Sequence, residues 1–400
     1  MTGRWVTKAL GDVCVLDRKQ GDHQGLPYVG LEDIQSVTGS FIGPSTPRSM
    51  KGSTFLFEPG HVLFGRLRPY LNKTLVPDFR GHCSTELMPL KHCEELDPHY
   101  LRYWLSSAAT VAEINATSTG ARMPRANMDR VMEMELPVPP LSEQKRIVRI
   151  LDDAFVLVDG TIENTQQIQT IAEDLFRSEL TATVSQLNRW PKRLLPEIAS
   201  EFGRGRSRHR PRNAKHLYGG PYPFIQTGDI RNSDHWIENS VQSYSEAGLE
   251  QSKLWPAGTV CITIAANIAE SGILRYEACF PDSVIGAVLK PDLMDPEFLE
   301  YLIQADKATL QAKGKGTAQD NINLGTFRSH PYPVPPLPEQ QRVVARLSAL
   351  REALWRLSNV SSAKLIKLSD LRQSLLQQAF SSGLSLEPRD VDVSLGGVRT

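Results

Sequence analysis

A chain of 400 residues, 40% hydrophobic and 22% charged, has room for two domains of roughly 140 residues plus connectors, each with its own core. Its 45 basic and 45 acidic residues cancel, which argues against attraction to DNA by bulk charge and shifts attention to where the charges sit. No apolar run approaches the ~18 residues of a membrane span, the opening MTGRWVTKAL lacks a signal core, and the five cysteines show no CxxC spacing. These features predict a cytoplasmic protein with reduced thiols and no membrane association.

In chain order, WVTKALGDV (residues 5–13) opens a region of short apolar runs bounded by Gly and Pro, such as HVLF (61–64), that predict strands. LDPHYLRYWL (96–105) predicts a helix with Asp97 as N-cap and Pro98 at the first helical position. The glycine loop TSTGAR follows, and then PVPPL, whose residues are held extended and are expected to continue neither helix nor sheet. A long helical pattern starts at Ser142-Glu143. Ile147, Ile150, Ala154 and Leu157, then Ile168, Ile171 and Leu175, predict a coiled-coil seam interrupted by Thr161 and Asn164, with a kink at Gly160.

The chain then repeats itself. WPKRLLPEI (190–198) echoes residues 5–13, YPFIQTGDI (222–230) echoes LPYVGLEDI (26–34), and PAGTVCI (256–262) answers EPGHVLF (58–64). MDPEFLEYLI (294–303) matches residues 96–105, with Asp295 and Pro296 in the capping positions, and KGKGTA matches TSTGAR. Finally YPVPPLPEQQRVV (332–344) restates LPVPPLSEQKRIV (136–148) at an offset of 196 residues. That period is far too long for a solenoid, so the pattern is a duplicated domain, each copy followed by the same connector. In the second connector Leu347, Leu350, Leu354 and Leu357, then Leu368, Leu371 and Leu375, continue the seam, interrupted by Ser361 and Lys364.

An isolated helix of this kind leaves its apolar stripe in water and needs a partner. Each connector is the other's simplest partner. Antiparallel pairing of two helices of about 40 residues, on the order of 60 Å long, predicts a rod comparable with one to two turns of duplex DNA. The fold class is therefore α+β: two tandem duplicated domains, separated and followed by long helices that pair as an antiparallel coiled coil.

No phosphate loop, dinucleotide-binding glycine pattern, H-E-x-x-H or deaminase motif is present. Duplication without a catalytic constellation predicts binding rather than reaction, and no catalytic residue is assigned. Glu143-Gln144-Lys145 has an E-x-K form, but its echo Glu339-Gln340-Gln341 lacks the lysine, so capping and surface roles are expected. His82-Cys83 and His92-Cys93 lack zinc-finger spacing, so no metal site is assigned.

Two variable α+β domains, each closing with PVPPL, EQ and R before a long helix, resemble the specificity subunit of type I restriction-modification systems. LFGRLRPYLNK (63–73), CSTELMPL (83–90) and CITIAANIAESGIL (261–274) are similar to segments of that family's target recognition domains. The resemblance implies recognition domains at 1–140 and 188–336 and helical connectors at 141–187 and 337–383, and the composition of residues 384–400 predicts a disordered tail. Each domain would read one half of a bipartite, asymmetric double-stranded DNA target, and the coiled coil would set the spacer. The connectors would dock two modification subunits, which carry S-adenosylmethionine and methylate adenine. Restriction subunits, using ATP and Mg, would complete the assembly, with no cofactor held by this chain. A coiled-coil interaction scaffold, or a specificity subunit of a fused restriction-methylation system, is the alternative.

Side-chain chemistry, taken with the resemblance, nominates the DNA contacts. Arg66 and Arg68 are suited to guanine edges or phosphates, Asn72 to adenine and Lys73 to phosphate, with Tyr70 beside them. Alternating Leu67 and Leu71 also fit a strand end whose charges merely face solvent. The glycine loops contribute Thr119, Arg122 and Arg125 in the first copy and Lys313, Lys315, Thr317, Asn321 and Asn323 in the second. Asn267 belongs to the second copy's counterpart of residues 63–73. GRGRSRHRPRNAKH (203–216), with Arg204, Arg206, Arg208 and Arg210, reads either as a solvated mobile loop or as an arm gripping phosphates.

Overall fold

The computed structural model describes residues 5–381, apart from residues 22, 24, 49, 210, 266–267 and 315–323 and the side chains of residues 313–314. The chain divides into two compact units, residues 1–165 with 362–400, and residues 166–361. Each unit therefore holds one globular head and part of both long helices. The expected tail at 384–400 lies outside the described residues.

In the first unit two four-stranded sheets build the head. One has the order Cys14–Leu16, Leu87–His92, Val62–Gly65, Thr74–Leu75, all antiparallel. The other has the order Gln20–Gly21, Thr54–Phe57, Gly81–Cys83, Tyr28–Val29, with the last pair parallel. Residues such as Phe57, Leu63, Leu90, Leu101 and Leu105 fill one core with Ile147 and Leu151 of the long helix. Burying that surface is the main stabilising term, about 25 cal/mol per Å² of apolar area.

The second unit repeats the scheme with one strand added. Ala199–Arg204, Val284–Leu289, Val260–Thr263 and Ser271–Leu274 follow the order of the first sheet, and Trp236–Ile237 extends it. Gln242–Tyr244, Tyr218–Phe224, Ala278–Cys279 and Leu254–Trp255 form the other sheet, where Trp255 stacks on Phe280 at 5.0 Å.

Both helix starts agree with the capping pattern. Asp97 accepts the N–H groups of His99 and Tyr100 at 2.9 and 3.1 Å, and Asp295 those of Glu297 and Phe298 at 2.8 and 3.2 Å. The Pro-rich bridge corrects an expectation. Glu135–Val138 pairs with Val6–Ala9, and Pro331–Pro333 pairs with Lys192–Leu194. In a two-stranded ribbon each strand has an unpaired edge, where a residue without an N–H costs nothing.

The long helices, Leu141–Gln186 and Leu337–Ser381, run unbroken, through Gly160 and Thr161 in one and through Ser361 in the other. In the first unit Leu151 and Phe155 share a core with Leu376 and Ala379, and Arg372 Nη1 donates to Asp159 Oδ1 at 2.5 Å. In the second, Leu180 shares a core with Val343 and Leu347, and Arg346 pairs with Glu179. Within each unit the numbering rises along one helix as it falls along the other, so the pairing is antiparallel.

The seam itself is shifted from the expected frame. Ile147 and Leu347 are buried, and Ile150, Leu350, Leu354, Leu368 and Leu375 are half-buried. Leu157, Ile168, Ile171, Leu175, Leu357 and Leu371 face solvent, with exposures from 38% to 73%. The buried row on the first helix is Ile147, Leu151, Phe155 and Val158. Two apolar rows lie side by side on this helix, and only one faces the partner helix and the head. No described helix is long and apolar enough to cross a membrane.

Candidate nucleic-acid interface

Strand Val62–Gly65 ends in a tip whose shape is set by two left-handed residues. Arg68 (φ 51°) and Asn72 (φ 49°) bracket the single turn Pro69–Leu71, which returns the chain to Thr74–Leu75. Pro69 presets the turn, and the left-handed positions reverse the chain at either side. The glycine loop at 117–125 joins this tip. Arg68 N–H donates to the Pro124 carbonyl at 2.7 Å, Ala126 N–H to the Arg66 carbonyl at 2.9 Å, and Thr119 and Arg125 exchange backbone hydrogen bonds at 3.0 and 3.1 Å. The structure thus brings together two segments nominated separately from the sequence.

At their junction sits Glu86, which sequence reasoning missed. Its carboxylate accepts from Arg66 Nε at 3.1 Å, and from Arg125 Nε and Nη2 at 2.8–3.1 Å. Partial burial pushes this carboxyl up, but the Arg125 hydrogen bonds and the charges of Arg66 and Arg125 outweigh it and hold the group below its ordinary 4.5. One carboxylate fixes two guanidiniums, leaving a net positive tip. Arg68, Tyr70, Thr119 and Arg122 are exposed around it.

Two nominated residues turn inward, correcting their expected roles. Asn72 is 9% exposed and its amide donates to the Ser106 carbonyl at 2.9 Å, so it does not offer that edge to a base. Lys73 is half-buried, with Nζ donating to the Leu31 carbonyl at 2.7 Å. The left-handed backbone at Asn72 redirects its side chain toward the core, something no composition rule conveys.

In the second unit Arg204, Arg206 and Arg208 are exposed while Gly205 and Ser207 are buried, so an extended backbone places all three arginines on one face. This segment is not a free arm. Gly205 N–H donates to the Val284 carbonyl at 2.9 Å, Arg206 N–H to Phe280 at 3.0 Å, and Arg212 binds Asp282 at 2.9–3.0 Å. A Cβ on Gly205 would lie 2.1 Å from the Phe280 oxygen, so only glycine permits the approach. Arg210, Asn267, Lys315, Thr317, Asn321 and Asn323 lie outside the described residues. Lys313 lies in helix Pro296–Gly314, with its side chain likewise outside them.

The repeated glutamine of the connector motif has a role that its sequence context concealed. Gln144 Oε1 accepts the Asp97 N–H, and its Nε2 donates to the carbonyls of Glu95 and Pro139, all at 2.8 Å. Gln340 makes the same three bonds with Asp295, Leu293 and Pro335, again at 2.8 Å. Both side chains are fully buried. The neighbouring Glu143 and Glu339 bind Arg146 and Arg342, an ordinary first-turn arrangement.

The copies differ where this framework allows it. Arg102, half-buried over the Tyr103 ring, donates to the Thr38 carbonyl at 2.9 Å beside left-handed Gly39. At the matching positions Glu300 is wholly buried, 2.6 Å from Nδ1 of His235, itself left-handed at φ 82°. Ser271 donates to the same carboxylate at 2.9 Å, and His235 Nε2 lies 3.1 Å from Glu297. A basic group in one head answers to an acidic one in the other.

The histidines of both histidine-cysteine pairs are hydrogen-bonded within the first head. His82 lies between Thr54 Oγ1 at 2.9 Å and the Arg48 carbonyl at 3.1 Å. Among the described residues no group of three His, Cys, Asp or Glu side chains is placed to hold a metal ion.

Comparison with known proteins places these features in context. The model of the type I restriction modification DNA specificity domain matches residues 3–173 and again 197–365. The specificity subunit of the type I restriction enzyme EcoDI from Escherichia coli is 31% identical over 173 residues, covering 40% of this chain and 38% of that subunit. The EcoKI specificity subunit of Escherichia coli K12 is 23% identical over 314 residues, 72% of this chain and 66% of that one. Among solved structures, a chain from a study of complex assembly and conformational transition in the type I R-M system superposes with a TM-score of 0.79 at 21% identity, covering 94% of this chain and 98% of that one. The HsdS subunit from Thermoanaerobacter tengcongensis gives a TM-score of 0.55 at 20% identity, covering 95% and 97%.

Proposed function

The chain belongs to the family of type I restriction-modification specificity subunits, and we propose that it is the DNA-reading component of such a complex. Each head would read one half of a bipartite, asymmetric target, with the paired helices fixing the unread spacer between them. The observation that carries this reading is one framework repeated in two heads that expose different arginines. Gln144 and Gln340 make matching bonds, whereas the first head presents Arg68, Tyr70 and Arg122 and the second the Arg204, Arg206, Arg208 face.

The exposed arginines suit phosphates and guanine edges, and the Glu86 clamp limits how far Arg66 and Arg125 can stray. Arg122, Thr119 and Tyr70 are exposed on the same tip and would meet the duplex there. The solvent-facing row on the long helices, with Leu157, Ile168, Ile171 and Leu175 on one and Leu357 and Leu371 on the other, supports docking of two modification subunits. Those subunits would bring S-adenosylmethionine and the methylation of adenine, and restriction subunits would bring ATP and Mg. This chain would hold none of these cofactors and catalyse no step.

The deciding experiment maps methylated adenine across the genome of a host carrying this chain with its modification subunit. It is repeated after residues 190–330 are replaced by those of another family member. A bipartite motif in which one half changes is the expected result. Methylation that does not depend on this chain would refute the reading.

A further inference from the structure

The second unit carries one polar arrangement that neither the repeated framework nor the arginine face uses. Gln226 Nε2 donates to Gln242 Oε1 at 2.6 Å, and both side chains are exposed. They stand on an open groove of about 550 Å³, whose walls include Arg212, Lys215, Tyr218 and Gly219.

Gln226 is fixed at both ends. Its backbone N–H donates to Asp229 Oδ2 at 2.8 Å, and its amide is held by Gln242. The first head has the same clamp, with Gly30 N–H donating to Asp33 Oδ2 at 2.7 Å, but a glycine stands where the second head has glutamine. The framework is shared and the side chain is not, as expected at a position that separates what two heads read.

The groove is also shaped for close approach. Strand Tyr218–Phe224 bulges against Gln242–Tyr244, where Tyr244 faces both Tyr218 and Tyr222 in register. Gly219 at φ 82° has open space where a Cβ would stand. Lys215 is exposed for a flanking phosphate, while Arg212 is already bound by Asp282.

With one amide hydrogen engaged by Gln242, Gln226 presents its Oε1 acceptor beside its remaining N–H donor. That pair matches the N6 amino group and N7 of adenine in the major groove. We propose that Gln226, oriented by Gln242, reads one adenine in the half-site of the second head. This inference rests on the specificity-subunit reading and deepens it.

The test is adenine-methylation mapping in a host carrying the complete complex with the wild-type chain, Gln226→Glu, Gln226→Ala or Gln242→Ala. Gln226→Glu is nearly isosteric and exposed, and its carboxylate accepts from the N4 amino group of cytosine. It is expected to exchange one adenine for cytosine in one half of the motif, leaving the spacer and the other half unchanged. Gln226→Ala makes the same position degenerate, lowering discrimination there by roughly 5- to 150-fold. Gln242→Ala relaxes that position in the same direction. Motifs identical to wild type for both Gln226 variants would overturn the inference and leave the broader reading standing. Methylation that is independent of the wild-type chain removes both.

Discussion

Gln144 accepts the Asp97 N–H at 2.8 Å, tying the start of a 46-residue helix to the start of helix Pro98–Ser106. Removing that amide leaves three backbone groups unsatisfied, one buried and two partly buried. Gln144→Ala, and equally Gln340→Ala, is expected to destabilise by about 2–4 kcal/mol. Chemical denaturation measures this, and a loss under ~0.5 kcal/mol would mean that water or relaxation replaces the lock.

Glu86 predicts a pH dependence. Its folded carboxyl is held below the ordinary 4.5, so its contribution is complete above 4.5 and is lost as pH falls through the lower folded value. Gln at this position should flatten that part of the stability profile. It should also free Arg66 and Arg125, steepening the salt dependence of DNA binding by the assembled complex by up to about one unit of log–log slope. Unchanged salt slopes would place the tip away from phosphates.

Arg372 is 5% exposed, bonded to Asp159 and lying over the Phe155 ring at 4.0 Å. Asp159→Ala strands a buried guanidinium. Because Asp159 is about one-third exposed, the expected loss is discounted to about 1–3 kcal/mol. Arg372→Met, which keeps the packing, should cost less than Asp159→Ala. Thermal melting of the two variants decides the order, and the reverse ranking would show that the ion pair contributes little.

Ile171→Asp with Leu175→Asp alters side chains that are 65% and 53% exposed. The isolated chain should melt within about 0.5 kcal/mol of wild type, while affinity for the modification subunit should fall by at least about tenfold. Titration of the purified subunits reads this directly. Unchanged affinity would move the docking surface elsewhere.

Much of the architecture was legible because it is written in local signals. The Asp-Pro starts predicted their caps, and the duplicated motif predicted two like heads. On the first helix the seam was misplaced from Leu157 onward because two adjacent apolar rows satisfy the same spacing, and packing selects one of them. Asn72 was misread because its left-handed backbone aims the side chain inward. Glu86 and the His235–Glu300 pair were invisible for another reason: their partners lie 20 to 65 residues away, where no local pattern reaches.

All three groups bonded by each connector glutamine belong to the backbone. These three bonds therefore ask nothing of the side chains around them. Substitutions at Glu95, Leu293 or Asp295 leave these bonds in place, while the packing of Ile147 and Leu151 into the first head still depends on side chains.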